Sequence, residues 1–247
     1  MTVPWSPALR GRSGYLGRAR VEGTSLNLAN ITTAGYKRGV PVTQSFTDYL
    51  SAVGYAGGPR LPLPVTLPSV RQTLDYKAGS LKFTGNALEL AIAGNAYFEV
   101  STPSGPAYTR KGNFRLDERG RVVTEQGYPL MGQGGELVLM TSEPAIDRTG
   151  QVTDGDKAIG QLRLAQFSNA QGLAKLDSGL YQQGSAQPAP LEGDNSVRQG
   201  YLENSNVDSA AEMVRLIETM RHFEAAQKIV QGYDDMLEKS IRKLGEL

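Results

Sequence analysis

Near the C-terminus, apolar side chains return every seven residues: Leu216, Phe223, Val230, Leu237 and Leu244. A companion row reads Met213, Met220, Gln227, Asp234 and Ile241, so polar residues interrupt its centre. Ile217, Ile229, Tyr233 and Met236 widen the same face. No proline falls between Ser209 and Leu244, and the only glycine there is Gly232. This spacing predicts one long amphipathic helix with coiled-coil-like periodicity. Ser209-Ala-Ala-Glu212 reads as a capping box at its start, and Gly245 as its stop. A helix of about 35 residues is far longer than the typical 11–12, which favours a surface for assembly over a core element.

The middle of the chain changes period. Leu88–Ile92 and Ala96–Val100 are β-prone runs separated by Gly94-Asn95, a hairpin signal. Ala107–Arg110 and Asn113–Leu116 flank Lys111-Gly112. Arg121–Thr124 and Glu136–Met140 each follow a glycine-bearing turn, and further strands are expected at Gln161–Phe167 and Arg198–Leu202. Short strands with turns between them predict an antiparallel β domain.

The first zone is a weaker helix. Leu9, Leu16 and Val21 have roughly helical spacing, but Gly11, Gly14, Gly17 and Gly23 each cost up to about 1 kcal/mol against alanine. Such a helix needs a partner to hold it. Residues 51–69 carry three glycines and four prolines and read as loop or extended linker. The expected fold class is therefore α+β: long N- and C-terminal helices, coiled-coil-like and forming one discontinuous domain, plus a central antiparallel β domain. The expected boundaries are 1–37 and 205–247 for a helical polymerisation domain, 38–80 for the linker and 81–204 for the β domain.

Composition removes several chemistries. The absence of cysteine excludes disulfides, thiolate catalysis and cysteine-ligated metals, and one histidine, His222, excludes a histidine cluster. A formal net charge of +1 gives no reason to expect nucleic acid as a partner. No apolar run approaches the roughly 20 residues of a membrane span. The arginine-bearing first 20 residues lack the apolar core of a cleavable signal.

The remaining candidate sites are weak. His222 lies between Arg221 and Phe223, with no nucleophile motif to use it. Gly11-x-x-Gly-x-x-Gly17 lacks the preceding strand and following lysine of a phosphate loop. Arg10, Arg12, Arg18 and Arg20 form a basic cluster, read as a solvated face or a contact for acidic groups of neighbouring subunits. Asp117-Glu118 and Asp154-Gly-Asp156 are carboxylate pairs at predicted turns, where aspartate is favoured for backbone hydrogen bonds. No catalytic, metal-binding or cofactor-binding residue is expected. The competing reading is a peptidoglycan-directed enzyme or glycan-binding β domain, for which two carboxylates about 5–10 Å apart in a cleft would be required.

Ser25-Leu-Asn27-Leu28-Ala29-Asn30, followed by Thr33-Ala-Gly35-Tyr36-Lys37, resembles the N-terminal signature of the flagellar rod and hook axial proteins. Thr84–Gly94, Tyr108–Phe114, Val123–Tyr128 and Phe167–Leu173 resemble the β domain those proteins share. Gly200–Val207, then Glu212–Ile217, Arg221 and Phe223-Glu224, resembles their C-terminal signature. The blocks span nearly the whole chain in the family's order. Leu26 stands where the family usually has the first of two asparagines. With one β domain the chain resembles a rod member, and the Met213–Ile217 and Arg221–Glu224 runs are most like the proximal rod protein. The resemblance implies a structural subunit of the basal-body rod that spans the periplasm and polymerises through its terminal helices. It implies copies of itself, other rod proteins and the flagellar type III export apparatus as partners. The assembly face would comprise Met213, Leu216, Ile217, Met220, Phe223, Val230, Tyr233, Leu237, Ile241 and Leu244.

Overall fold

The computed structural model describes residues 7–43, 70–141, 144–155, 157–191, 193 and 195–245. Its contacts divide the chain into two units. One comprises the described residues within Met1–Ala29, Gly39–Thr73 and Asp208–Leu247, and the other Asn30–Arg38 with Leu74–Val207.

The second unit is a β body. Its centre is a six-stranded antiparallel sheet in the order 174–175, 180–182, 105–109, 97–102, 164–167 and 188–189. Period-two alternation lets both faces of this sheet bury apolar groups. Phe98, Val100, Ala107 and Leu180 enter the larger core, together with Leu90, Phe114, Val122 and Leu130 from other strands. Their neighbours Tyr97, Tyr108 and Tyr181 enter a second cluster with Phe167 and Leu173. The rings meet edge to face: Phe98 and Phe114 have centroids 5.3 Å apart at 90°, and Tyr108 and Phe167 4.8 Å apart at 76°.

The Gly94-Asn95 hairpin does not form. Leu90–Ala93 pairs instead with Ser196–Gln199, while Tyr97–Thr102 pairs with Gly105–Thr109 and Leu164–Phe167. The turn itself is real, with Gly94 at φ +126°, but it passes the chain between sheets. Asn195 holds it, its Oδ1 accepting from the Asn95 and Ala96 N–H groups at 2.9 and 3.1 Å. Turn chemistry fixes a reversal, whereas the pairing partner is chosen by which side chains the core accepts.

The acidic turns are built from the backbone. Asp117 accepts from the Arg119 and Arg121 N–H groups at 2.9 and 2.8 Å, and Asp147 repeats the pattern on Thr149 and Gln151 at 2.8 and 2.9 Å. Hydrogen bonds from Arg121 and Arg119 hold the Asp117 carboxyl below the usual aspartate range against the opposing effect of desolvation. Asp154 accepts from the Met140 N–H at 3.0 Å and from the Thr141 hydroxyl.

The first unit holds an N-terminal helix, Pro7–Ala29, a C-terminal helix, Ser209–Gly245, and a two-stranded pair of Gly39–Thr43 and Val70–Leu74. Here the expected fold class is corrected. Two long helices in a coiled-coil-like arrangement are not what frames the chain. It is mostly β, with nineteen strands against two α-helices among the described residues, and the N-terminal helix is limited to 23 residues. That helix carries no continuous apolar stripe, and glycines and arginines occupy many of its positions. The C-terminal helix lacks one of the two apolar rows a coiled coil requires, because Gln227 and Asp234 interrupt it. The N-terminal helix stops before Asn30–Thr33, where the Thr33 N–H donates to the Asn30 carbonyl at 3.1 Å, and Gly35 turns the chain at φ +66°. Gly23 admits a neighbour, since a Cβ there would press on Gln72 Nε2 at 3.1 Å, whereas a Cβ at Gly17 would make an ordinary contact with the Phe223 ring at 3.8 Å. The two strands lie within the span 38–80 that the sequence reads as linker.

Candidate assembly interface

Asp208, not Ser209, caps the C-terminal helix, its Oδ1 accepting from the Ala210 and Ala211 N–H groups at 2.9 and 3.2 Å. Glu212 is thereby released from the expected capping box. It is buried, pairs with Arg215, and accepts from Asn27 Nδ2 at 3.2 Å. Asn27 also brackets Gly39, donating to its carbonyl at 2.9 Å and accepting from its N–H at 2.8 Å. One buried amide thus ties the end of the N-terminal helix, the first strand and the start of the C-terminal helix. Asn27→Ala would remove both side-chain hydrogen bonds to Gly39 and the one to Glu212, which keeps Arg215, at about 1–3 kcal/mol for each buried group left unpaired. We expect the helical unit to lose at least about 2 kcal/mol, measured as faster proteolysis of Ser209–Gly245 at unchanged β-body circular dichroism.

Beyond Glu212 the helix presents apolar side chains to solvent. Ile217 is 52% exposed, Met220 49% and Phe223 42%, and Met213 and Tyr233 are also exposed. Leu216 and Val230 are half-buried. The side chains of Leu237, Ile241 and Leu244 lie outside the described ones. Gly17, Arg18, Val21 and Glu22 of the N-terminal helix face Met220, Phe223 and Glu224 across a groove. Arg18, Arg20 and His222 are exposed, while the side chains of Arg10 and Arg12 lie outside the described ones. Monomeric proteins rarely leave so many large apolar groups along one helix in water.

The N-terminal signature is split between roles. Asn27 makes the tie just described, Leu28 and Asn30 are half-buried, and Ala29 is exposed. Thr33 bonds back to Asn30, with its hydroxyl 3.2 Å from Oδ1. Gly35, Tyr36 and Lys37 join the β body. The Gly35 N–H donates to the Glu203 carbonyl at 2.7 Å, and a Cβ there would lie 2.6 Å from the Arg110 backbone. Lys37, only 1% exposed, donates from Nζ to Glu203 Oε1 at 2.6 Å and to the Lys77 carbonyl at 2.8 Å. Burial pushes the Lys37 ammonium's pKa down, and the Glu203 carboxylate pushes back. Arg110 lies 3.6 Å from the other Glu203 oxygen. Asn206 completes the knot, donating to the Asp75 carbonyl at 2.7 Å and accepting from the Arg38 N–H at 2.7 Å. Glu203, Arg110 and Asn206 fall inside blocks that resemble the family's, Gly200–Val207 and Tyr108–Phe114, but sequence reasoning gave them no role. Buried charged residues pair across long separations, and no local pattern announces them.

Residues 91–154 match the family described as the flagellar hook protein FlgE/F/G D1 domain, and residues 198–243 the flagellar basal body rod FlgEFG protein C-terminal family. Flagellar basal-body rod protein FlgG of Buchnera aphidicola subsp. Schizaphis graminum is 34% identical over 237 residues, covering 87% of this chain and 90% of the relative. FlgG of Bacillus subtilis is 31% identical over 240 residues, covering 87% and 89%. Flagellar basal-body rod protein FlgF of Rhizobium meliloti is 33% identical over 225 residues, covering 89% of each chain. The chain belongs to the flagellar basal-body rod protein family. It is a structural rod subunit of the flagellar basal body. The rod-family C-terminal match covers most of the exposed apolar helix and reaches back through the Glu203–Asn206 knot, while the D1 match covers most of the larger core of the β body.

Proposed function

We propose that this rod protein packs on copies of itself and on other rod subunits through the apolar face of its C-terminal helix, and that it stands in the proximal part of the rod as that structure crosses the periplasm. The observation that supports this most is the row of exposed side chains from Met213 through Phe223, which falls inside the stretch matched by the rod C-terminal family. Burying each such side chain contributes roughly 1.5–3 kcal/mol, and a polymer repeats the contribution in every subunit. Leu216, Val230, Leu237, Ile241 and Leu244 would extend the face toward the C-terminus, and Tyr233 would widen it. Proximal placement rests on the Met213–Ile217 and Arg221–Glu224 runs; the relatives include both FlgF and FlgG.

The role is mechanical and no reaction is assigned to it. Of the carboxylates that a glycan-cleaving reading would use, Asp117 is engaged with Arg121 at 2.8 Å and Asp154 with the Met140 N–H, while Asp156 lies outside the described residues. The chain travels through the flagellar type III export apparatus and keeps its N-terminal residues. Mass spectrometry of isolated basal bodies tests the placement and the route together. The expected result is this protein with residues 1–20 intact, cross-linked to other proximal rod subunits; a form trimmed by signal peptidase, or a distal position, overturns the corresponding part.

A further inference from the structure

We propose that residues 30–38 form a latch: a strap that plugs Lys37 into a carboxylate site already built within the β body, and that can leave the site without unfolding that body. The site stands without the strap. Glu203 and Arg110 both belong to the continuous run Leu74–Val207. Glu203 Oε1 accepts from the Gly79 N–H at 2.9 Å as well as from Lys37. Arg110 is held by the Ile92 carbonyl at 3.2 Å and by the Gly94 carbonyl, and its guanidinium lies over the Tyr97 ring at 5.2 Å from the centroid. Within the run, Glu203 Oε1 has the Gly79 N–H, while Oε2 makes no hydrogen bond and has only the long ion pair to Arg110 Nε. The Lys37 ammonium adds a short ionic contact to this buried carboxylate, on Oε1, reaching it across 166 residues of sequence.

The strap's hold is polar. None of the residues in either hydrophobic cluster comes from 30–38. Besides Lys37, its attachments to the run include the Gly35 N–H to the Glu203 carbonyl, the Arg38 N–H to Asn206 Oδ1 at 2.7 Å, the Asn206 N–H to the Tyr36 carbonyl at 3.3 Å, the Asp75 N–H to the Arg38 carbonyl at 2.9 Å, and Lys175 over the Tyr36 ring at 5.4 Å. A buried ion pair specifies an arrangement more than it adds stability, and removing one partner is costly because a charge stays behind. Such a pair suits a segment that must dock in one register yet stay separable from the core.

Hydrogen exchange on the full chain tests this. In Lys37→Met, the amides of Gly35, Arg38, Asp75 and Asn206 should exchange on the order of a hundredfold faster, while those of Phe98, Val100 and Val122 keep wild-type protection. Parallel loss of protection in the core overturns the latch, as does unchanged protection of Gly35 and Arg38. Failure of Lys37→Met to fold overturns the latch as well. Gly35→Ala is the second variant: its Cβ would press on the Arg110 backbone at 2.6 Å and lift the strap with Lys37 still present. The amides of Arg38 and Asp75 should lose protection while Phe98, Val100 and Val122 keep it; loss at all of these positions, or at none, overturns the proposal.

Discussion

Phe223→Asp should yield a soluble protein with a wild-type β-sheet signal that builds no rod. Phe223 stands on the exposed face of the C-terminal helix, 42% accessible, and a Cβ on Gly17 of the N-terminal helix would lie 3.8 Å from its ring. It belongs to neither hydrophobic cluster of the β body. An aspartate there removes the roughly 1.5–3 kcal/mol that burying the ring against a neighbour contributes. It also places an unpaired carboxylate in an apolar contact, which costs several kcal/mol more. The two effects recur in every subunit, so a polymer magnifies them beyond rescue by concentration. The measurement has two arms. Circular dichroism and the melting transition of the β body should change little, while cells carrying the variant should lack hooks and filaments. Cooperative loss of the β signal would assign Phe223 to the folding core instead, and normal motility would remove it from the interface.

The C-terminal helix was the easiest element to read, because Leu216, Phe223, Val230, Leu237 and Leu244 repeat without interruption. The same repeat misled about its company. A seven-residue period marks a helix with one apolar face, but a coiled coil also requires the partner row, which Gln227 and Asp234 break. The N-terminal helix was legible as a weak helix needing support, and one of its glycines, Gly23, proved to be a point of close approach. Its end was not legible, since the stop at Ala29 depends on a buried tie from Asn27 to Gly39 and Glu212. The helix cap was misplaced by one residue because Ser209 and Asp208 are both good caps, and the choice between them follows from Glu212 being drawn toward Asn27. Several strands were readable from β-prone runs between turn residues, although Glu136–Met140 is a strand only at its start and short strands such as Leu180–Gln182 went unread; strand partners were not readable. Leu90–Ala93 finds Ser196–Gln199 about a hundred residues away, a selection made by the shared core around Leu90, Ile92 and Val197. The signature residues Gly35 and Lys37 were flagged by resemblance alone, and their physical reason lies at Arg110 and Glu203, which no local pattern connects to them.

Gly112→Ala should be the most damaging small change in the β body. The Gly112 carbonyl accepts the Leu90 N–H at 2.9 Å, and two residues on, the Phe114 N–H reaches the Leu88 carbonyl at 3.3 Å. A Cβ on residue 112 would fall 1.5 Å from the Leu90 carbonyl oxygen and 2.7 Å from its carbon. Those atoms are backbone, so nothing can rotate aside; the two segments must separate. Separation breaks the Leu90–Gly112 bond inside the protein, at about 1–3 kcal/mol for each group left unpaired. It also displaces Leu90 and Phe114, both of the larger core, and opening space around such side chains costs about 2–5 kcal/mol. The sum is at least about 4 kcal/mol, a large share of the 5–15 kcal/mol that a domain possesses. The urea midpoint of the β body, followed by circular dichroism, should fall accordingly. Gly134→Ala supplies the contrast. A Cβ there meets nothing within 4 Å, so the same added methyl should shift stability by no more than about 1 kcal/mol, in either direction. Equal effects at the two positions would mean that the close approach of Leu90 and Gly112 is not what holds this part of the body together.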